Sequence, residues 1–347
     1  LSIKLSGFPK INFEQVLQST KDNSYILGPS VSKFENNFVK YTGADSCAGT
    51  GNCTDSLRMC LQILGIGPGS RVAVPSFTWL STAEVVKQLY AQPVFVDINN
   101  TLNMDPKCLA EVIDSVDAVI YVNLFGNVAD IDSILNIAGD IPVIEDNAQG
   151  TGARYKNRLL GSTGVLSCYS FYPTKNLATI GDAGCVIGKE EHVSKIKSLR
   201  NHGQLDIKFN AYNIGWNSRM DSIHADILNN ELEYLDARNQ RRKEIANYYS
   251  SNIKAEMQVM NPDCEPVYHQ FALLLDDPKK LQNHLYSKNI QTRRYYSTPI
   301  HQLNLYKTGQ NLPYTDSVSK RNICIPVHPY LTDAEVDTIT SEVKKCV

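Results

Sequence analysis

Short apolar runs alternate with amphipathic, helix-length segments from about position 34 to position 188. Six runs are rich in apolar residues, Val and Ile above all: RVAVPSF (71–77), QPVFVDI (92–98), DAVIYVNLFG (117–126), IPVIEDNA (141–148), GVLSCYSFY (164–172) and AGCVIGK (183–189). They are predicted to be buried strands. Between them, apolar residues at helical spacing predict helices over 54–64, 81–90, 106–114 and 130–138. This alternation predicts an α/β fold, a mostly parallel sheet covered by helices on both faces. The runs between 141 and 188 are joined without long helices, so part of the sheet is expected to be antiparallel. From 220 to 249, Ile223, Ile227, Leu228, Leu232, Leu235 and Ile245 lie near helical spacing and predict one long helix with a charged centre, EYLDARNQRRKE. The rest, 250–347, has strand patterns (VYHQFALLL, QTRRYY, ICIPV) and helical ones (278–287, 332–344), and predicts a small α/β domain.

Composition narrows the class. Apolar residues make up 42% of the 347 and charged residues 20%, as in a globular protein with a sizeable core. Basic and acidic residues nearly cancel, 34 against 36, which argues against nucleic acid or an anionic membrane as the main partner. Nine cysteines, none in a CxxC pair, read as reduced thiols of a cytoplasmic protein. No Cys or His cluster has metal-ligand spacing, so no metal is expected. No apolar run is long enough to span a membrane, and the start, LSIKLSGFPKINFEQVL, lacks the apolar core of a signal peptide.

Ligands of open α/β sheets bind beyond the carboxyl ends of the strands, and four stretches place polar residues there. In GTGNCTDSL (49–57), Asn52, Thr54 and Asp55 lie at a helix start, where they cap the helix or help it hold a phosphate. Trp79, in VPSFTWLSTAE, is a packing aromatic or the face on which a flat ring stacks. Asp146, in VIEDNAQG, ends an apolar strand and needs a cationic partner, from the protein or from a ligand. Lys175 follows the apolar run YSFYP; it is either a snorkelling surface lysine or a desolvated, nucleophilic amine. Together, a carboxylate for a protonated ring nitrogen, a stacking aromatic, a helix start for a phosphate and an imine-forming lysine are what pyridoxal 5'-phosphate requires.

These motifs resemble the DegT/DnrJ/StrS sugar aminotransferases, which are fold-type-I PLP-dependent enzymes. The resemblance rests on ILGPSVSKFE, GNCTDSL, VPSFTWLSTAEVV, PVFVDI, VIEDNAQGTGARYKNRLLGSTG, SFYPTKNL, GDAG, LRNHGQ and GWNSRMDSIHADIL, with RRYYSTPIH and IPVHPYLTDAEV in the tail. It implies that Lys175 is the Schiff-base lysine, Asp146 the partner of the pyridine nitrogen and Gln149 the partner of the phenolic oxygen. Trp79 takes the place of the stacking aromatic. Ser170 and the loop Asn52, Cys53, Thr54 and Asp55 match phosphate contacts. Asn217 matches an asparagine that reaches the phosphate of a neighbouring subunit, which implies a homodimer with shared active sites. Tyr25, Leu27, Gly28 and His301 resemble substrate-side elements; His301 reads equally as a loop histidine.

Cys53 stands where the family usually has glycine, and Asn147 and NLATIG replace commoner residues. Lysine at position 175, where sugar-dehydrating members have histidine, speaks for transamination. The implied reaction carries an amino group from an amino acid, L-glutamate by resemblance, to a nucleotide-linked keto-sugar, with a dTDP- or UDP-4-keto-6-deoxyhexose favoured over a 3-keto-sugar. The implied organisation is a segment 1–25 packing with the small domain, a large domain over 26–249 that includes the linker helix, and a small domain over 250–347. The other readings are a PLP-fold regulator or sugar-binding protein without turnover, and a nucleotide-sugar oxidoreductase; residues 49–57 lack the GxGxxG loop the latter needs.

Overall fold

The computed structural model describes residues 2–9, 11–14, 24–162, 165–204, 209–307 and 309–347. In chain order the first half contains α1 (Pro29–Thr42), β1 (Ser46–Thr50), α2 (Cys53–Ile63), β2 (Arg71–Pro75), α3 (Ser81–Gln88), β3 (Gln92–Val96), α4 (Pro106–Ala110), β4 (Ala118–Val122), α5 (Ile131–Ala138) and β5 (Val143–Asp146). Then come β6 (Arg154–Tyr155), β7 (Arg158–Leu159), β8 (Leu166–Ser170), β9 (Gly184–Gly188), α6 (Glu190–Leu199), α7 (Ser222–Leu232) and α8 (Leu235–Asn252). The chain finishes with β10 (Glu256–Met257), β11 (Cys264–Glu265), β12 (Phe271–Leu274), α9 (Pro278–Ser287), α10 (Pro313–Arg321), β13 (Asn322–Ile325) and α11 (Asp333–Lys344).

Seven strands form the main sheet, in the order β1-β9-β8-β5-β4-β2-β3. The pairs β8/β5, β5/β4, β4/β2 and β2/β3 are parallel, whereas β9 runs antiparallel to both β8 and β1. Side chains leave the strands to alternate faces, as period two requires. Val72, Val74, Ile120, Ile144 and Leu166 enter one core with α2, α3 and α6. Ala73, Val119, Tyr121 and Val143 enter another with α4 and α5. Both faces are covered, which is why these strands read as continuous apolar runs. The fold class is α/β with a mixed, mostly parallel sheet between helices, as expected, and the antiparallel part lies between 141 and 188.

A third cluster packs α1 and α7 against the β8 end of the sheet. Phe38, fully buried, meets Tyr169 and Phe171 edge-on at centroid distances of 5.0 and 5.8 Å. A separate core forms around the three-stranded sheet β10-β12-β13, with Ile245 and Tyr249 of α8, Leu281 and Leu285 of α9, and Ile339 and Val343 of α11.

Two expectations are corrected. The single helix expected over 220–249 is two helices, α7 and α8, with a break at Glu233 and Tyr234. Ala225, Leu228 and Leu232 serve the α1 core, while Ile245, Ala246 and Tyr249 serve the three-stranded sheet, so the chain turns between two cores. QTRRYY is not a strand; it makes one isolated bridge, Arg293 to Cys324, and Tyr296 then turns with φ 58°. The sequence pattern also passed over β1, whose residues are SCAGT, and the hairpin β6–β7, whose turn residues Lys156 and Asn157 have φ 47° and 64° as in a type I′ turn. Of the predicted strand 164–172, Gly164 lies outside the described residues, as does 15–23 of the N-terminal segment.

Phe38→Ala removes a ring that fills the space between α1 and β8. It is expected to lower the stability of the folded protein by about 3–5 kcal/mol, read as a lower urea midpoint.

Candidate active site

The carboxyl ends of β1, β2, β5 and β8 converge on a cavity of about 800 Å³. Each strand ends by handing a polar residue to it. β5 delivers Asp146 and the turn after it Gln149; β8 delivers Ser170 and, after Pro173, Lys175. β2 leads through 76–78 to Trp79, and β1 leads to Asn52, Cys53 and Thr54 at the start of α2. Eight of the residues expected at the site therefore line one cavity: Asn52, Cys53, Thr54, Trp79, Asp146, Gln149, Ser170 and Lys175.

Glu145 and Asp146 are successive residues of one strand and leave to opposite faces. Asp146 is buried, and each of its oxygens is held: Oδ2 accepts from Thr82 Oγ1 at 3.1 Å and Oδ1 from the Ala148 amide at 3.1 Å. Burial raises its carboxyl above the ordinary range; the Ala148 amide, the Lys175 charge and the Thr82 hydroxyl oppose this, in that order. Glu145 lies in a polar network behind the site, accepting from Asn123 Nδ2 at 3.0 Å and the Gly161 amide at 3.1 Å. Asn147 joins that network, its Oδ1 accepting from Asn123 Nδ2 at 2.6 Å and its Nδ2 donating to the Tyr169 hydroxyl at 3.2 Å.

Lys175 is half-buried, and its backbone amide donates to the Tyr172 carbonyl at 2.8 Å, which fixes the loop. Its side-chain amine makes no hydrogen bond or ion pair among the described residues and faces the cavity. Desolvation lowers its pKa, partly offset by the Cys53 thiol and the Asp146 carboxylate. An amine with a lowered pKa is nucleophilic.

Asn52 caps α2, its Oδ1 accepting from the Asp55 amide at 2.8 Å. The amides of Cys53 and Thr54, in the first turn, have no intrahelical acceptor. With the positive end of the helix they suit an anion. Cys53 is a first-turn residue without positive φ, so a side chain is accommodated there, and it packs with Leu57 and Cys60. The glycine the loop does need is Gly184. A Cβ on it would lie 2.6 Å from Asn52 C and Cys53 N, both backbone atoms.

The remaining expected residues lie elsewhere. Asp55 does not line the cavity; its Oδ1 is 2.5 Å from an Arg58 guanidinium that stacks on Trp216 at 3.6 Å. His301 is buried behind the 76–78 loop, with Nδ1 2.7 Å from Ser76 Oγ and Nε2 3.3 Å from Asp316 Oδ1. Tyr25, Leu27 and Gly28 lie beside the segment that carries Asn217. The Leu27 amide donates to the Met220 carbonyl at 3.4 Å, and the Ser222 amide to the Tyr25 carbonyl at 2.7 Å. None of Tyr25, Leu27, Gly28, Asn217 and His301 lines this chain's own cavity.

Three lining residues went unread in the sequence. Thr82, the second residue of α3, holds Asp146. His269 is buried with Nδ1 3.2 Å from Asn176 Oδ1, and desolvation, reinforced by Lys175 and Arg242, keeps it neutral. Tyr296 accepts from Gln149 Nε2 at 3.2 Å. An isolated polar residue within an apolar run was the only signal for His269, and ordinary composition hid the other two.

A mixed, mostly parallel sheet between helices, with a lysine and a buried carboxylate meeting beyond its strand ends, is the fold of the type I PLP-dependent transferases. The family model for the DegT/DnrJ/EryC1/StrS aminotransferases matches residues 10–344, and the chain belongs to that family. The UDP-2-acetamido-2-deoxy-3-oxo-D-glucuronate aminotransferase of Pseudomonas aeruginosa is 34% identical to it over 329 residues, 92% of this chain and 91% of that protein. The dTDP-3-amino-3,6-dideoxy-alpha-D-galactopyranose transaminase of Aneurinibacillus thermoaerophilus is 35% identical over 331 residues, 92% of this chain and 91% of its own. The crystal structure of DesV from S. venezuelae, in complex with a ketimine intermediate, matches with a TM-score of 0.93 at 31% identity, over 96% of this chain and 93% of that one. Family membership sets aside the oxidoreductase reading. No helix among the described residues is long and apolar enough to cross a membrane.

The raised Asp146 carboxyl has a consequence for stability. The folded protein holds that proton to higher pH than the unfolded chain does, so the contribution is present below the ordinary carboxyl range and is lost as pH rises through the folded value. Asp146→Asn removes the titration. In cofactor-free protein it is expected to raise the melting temperature at pH 7, with the difference shrinking towards pH 4; calorimetry across that range checks it.

Proposed function

We propose that the protein is a pyridoxal 5'-phosphate-dependent aminotransferase that moves an amino group from L-glutamate to a nucleotide-linked keto-hexose, making an amino sugar. The observation that carries this is that the Lys175 amine, unpartnered among the described residues, and the anchored Asp146 carboxylate line one cavity. The cavity also fits the cofactor in its other parts. Trp79 is 62% exposed on its wall, and the α2 start offers free amides where Gly184 allows close approach.

In this reading Lys175 holds the cofactor covalently and Asp146 keeps its pyridine nitrogen protonated. Gln149 bonds its phenolic oxygen and Trp79 covers one ring face. Ser170, Asn52, Cys53 and Thr54 hold the phosphate, with Asp55 fixing the helix start. The bound cofactor supplies an electron sink for the carbanion left when the Cα–H bond of the amino acid breaks. Lys175 Nζ, set free once the amino acid takes its place on the cofactor, would accept that proton as a general base and return it as an acid. Thr82 and the Ala148 amide keep Asp146 aimed, and His269, neutral beside Lys175, adds no competing positive charge.

Asn217 would reach the phosphate of a second subunit, and Tyr25, Leu27 and Gly28 its substrate. That none of them lines this chain's own cavity supports a homodimer with shared sites, as does the exposure of Tyr25, Phe209 and Ile214. His301 acts by buttressing the loop that carries Trp79. The division into 26–249 and 250–347 is proposed on the separate core around β10-β12-β13. Ile3 pairs with Ile290, which supports packing of the N-terminal segment on the second part. The names of the two relatives place the oxo or amino group at C-3, which favours a 3-keto-sugar over the 4-keto-sugar expected from resemblance.

The test is incubation with L-glutamate and a panel of UDP- and dTDP-linked 3-keto and 4-keto sugars. NMR is expected to locate a new C–N bond at C-3, with release of 2-oxoglutarate. Lys175→Ala should slow turnover by roughly 10²–10⁴-fold or more. Absence of amine transfer to every sugar, or full turnover by Lys175→Ala, contradicts the proposal.

A further inference from the structure

The hydrogen bonds around His269 settle where its proton lies. The ring Nδ1 is 3.2 Å from Asn176 Oδ1. Asn176 Nδ2 donates to the Val267 carbonyl at 3.0 Å and to Asn239 Oδ1 at 2.8 Å. Asn239 Nδ2 in turn donates to the Thr151 carbonyl at 3.1 Å. A backbone carbonyl can only accept, so Val267 and Thr151 fix which end of each amide is the nitrogen. Asn176 Oδ1 is therefore an acceptor, and the proton in its bond to Nδ1 belongs to His269. A neutral imidazole carries one such proton, which leaves a lone pair on Nε2.

The described residues make no use of that lone pair. Nε2 forms no hydrogen bond among them, and the atom is not sealed in the core but open to the cavity. The ring as a whole is only 7% exposed, and a buried acceptor left unmatched is costly. The backbone is also bent to put it there. Tyr268, just before it, has φ 44°, a left-handed conformation that a bulky residue seldom adopts. Gly126, on the facing turn, has φ 86°, and a Cβ on it would lie 2.7 Å from the His269 amide nitrogen and 2.8 Å from that of Tyr268. The Gln270 and Val267 amides donate to the carbonyls of Phe125 and Gly126 at 3.2 and 2.9 Å, which clamps the bend. Strained backbone persists only where its surroundings hold it, and it gathers at functional sites.

The donor that fits is Lys175. Asn176 follows Lys175 in the chain, so the amide that sets the tautomer of His269 also ties the ring to the lysine's own loop. The Lys175 amine has N–H donors, makes no hydrogen bond among the described residues and faces the same cavity. In the proposed function Asp146 is engaged by the cofactor nitrogen and does not serve that amine. The charges that act on His269 are those of Lys175 and then Arg242; both are positive, and with desolvation they hold the ring neutral. An imidazole held in that form accepts a hydrogen bond without keeping the proton.

We propose that His269 is a positioning residue for Lys175: its Nε2 accepts one N–H of the lysine amine whenever that amine is released from the cofactor, and so leaves the amine's lone pair turned to the Cα–H bond of the amino acid. The proton removed from Cα ends on Lys175 Nζ, and His269 neither gains nor loses one. The inference rests on the proposed function for the step it serves; the tautomer it requires does not.

Two measurements on the cofactor-loaded protein test it. The first is ¹⁵N NMR of histidine-labelled protein, with His269→Gln to assign the signal. His269 is expected to be neutral at pH 7 with its proton on Nδ1. The second is exchange of the Cα proton of L-glutamate in D₂O, which needs no sugar. His269→Phe is expected to slow exchange by roughly tenfold, the worth of one hydrogen bond to an ionisable group, with the half-saturating glutamate concentration little changed. Its isotope effect with 2-deuterated glutamate should rise, because proton abstraction becomes limiting; a merely structural role would not move it. His269→Gln, which keeps an acceptor at similar reach, should recover most of the rate. Retention of the bound-cofactor absorbance shows that the variants fold. A proton on Nε2, exchange at the wild-type rate in His269→Phe, or no recovery in His269→Gln overturns this inference alone. Absence of exchange in the wild type sinks the proposed function, and this role with it.

Discussion

A carboxylate buried at the end of a parallel strand is costly unless its charge is met, and the site is organised around meeting that of Asp146. Thr82 and the Ala148 amide each take one of its oxygens, and the Lys175 charge supplies a further favourable field. These contacts do not cancel the desolvation, because the carboxyl remains raised. The protein without a ligand thus keeps an acid whose charge is under-compensated and an amine that gives up its proton easily. Each would gain from the complementary group on a protonated nitrogen heterocycle carrying an aldehyde.

That arrangement depends on elements distant in sequence. Thr82 comes from α3, Ala148 from the turn after β5, and Lys175 from the loop between β8 and β9. The parallel strands bring their carboxyl ends to one side, and β9 turns back beside β8 so that Gly184 can lie against the start of α2. The network around Glu145 fills the opposite face of β5 with hydrogen bonds through Asn123, Asn147 and Gly161. Asn147, a departure from the commoner alanine, thus has a structural partner on each side and leaves the cavity side of the strand unchanged.

Much of this was legible in the sequence. Strands buried on both faces show as Val/Ile runs, so β2 to β5 could be located, and polar residues at their ends drew attention to Asp146 and Lys175. β1 escaped because SCAGT has none of the bulky residues that mark a strand; small side chains there let Met220 pack against Gly49. The break between α7 and α8 escaped because apolar spacing runs on through it, and only the presence of two cores explains the turn. Thr82, His269 and Tyr296 have their roles through long-range contacts that no local spacing encodes. Asp55 shows the reverse case. Its place in the motif implied a phosphate contact, but Arg58 three residues later takes its carboxylate.

The central claim is that Lys175 and Asp146 serve one ring. Borohydride reduction of the cofactor-loaded protein, followed by peptide mapping by mass spectrometry, tests it most directly. The account predicts a single pyridoxyl adduct on Lys175, with much lower cofactor occupancy in Asp146→Asn. An adduct on another lysine, or full occupancy at Lys175 without the Asp146 carboxylate, would contradict it.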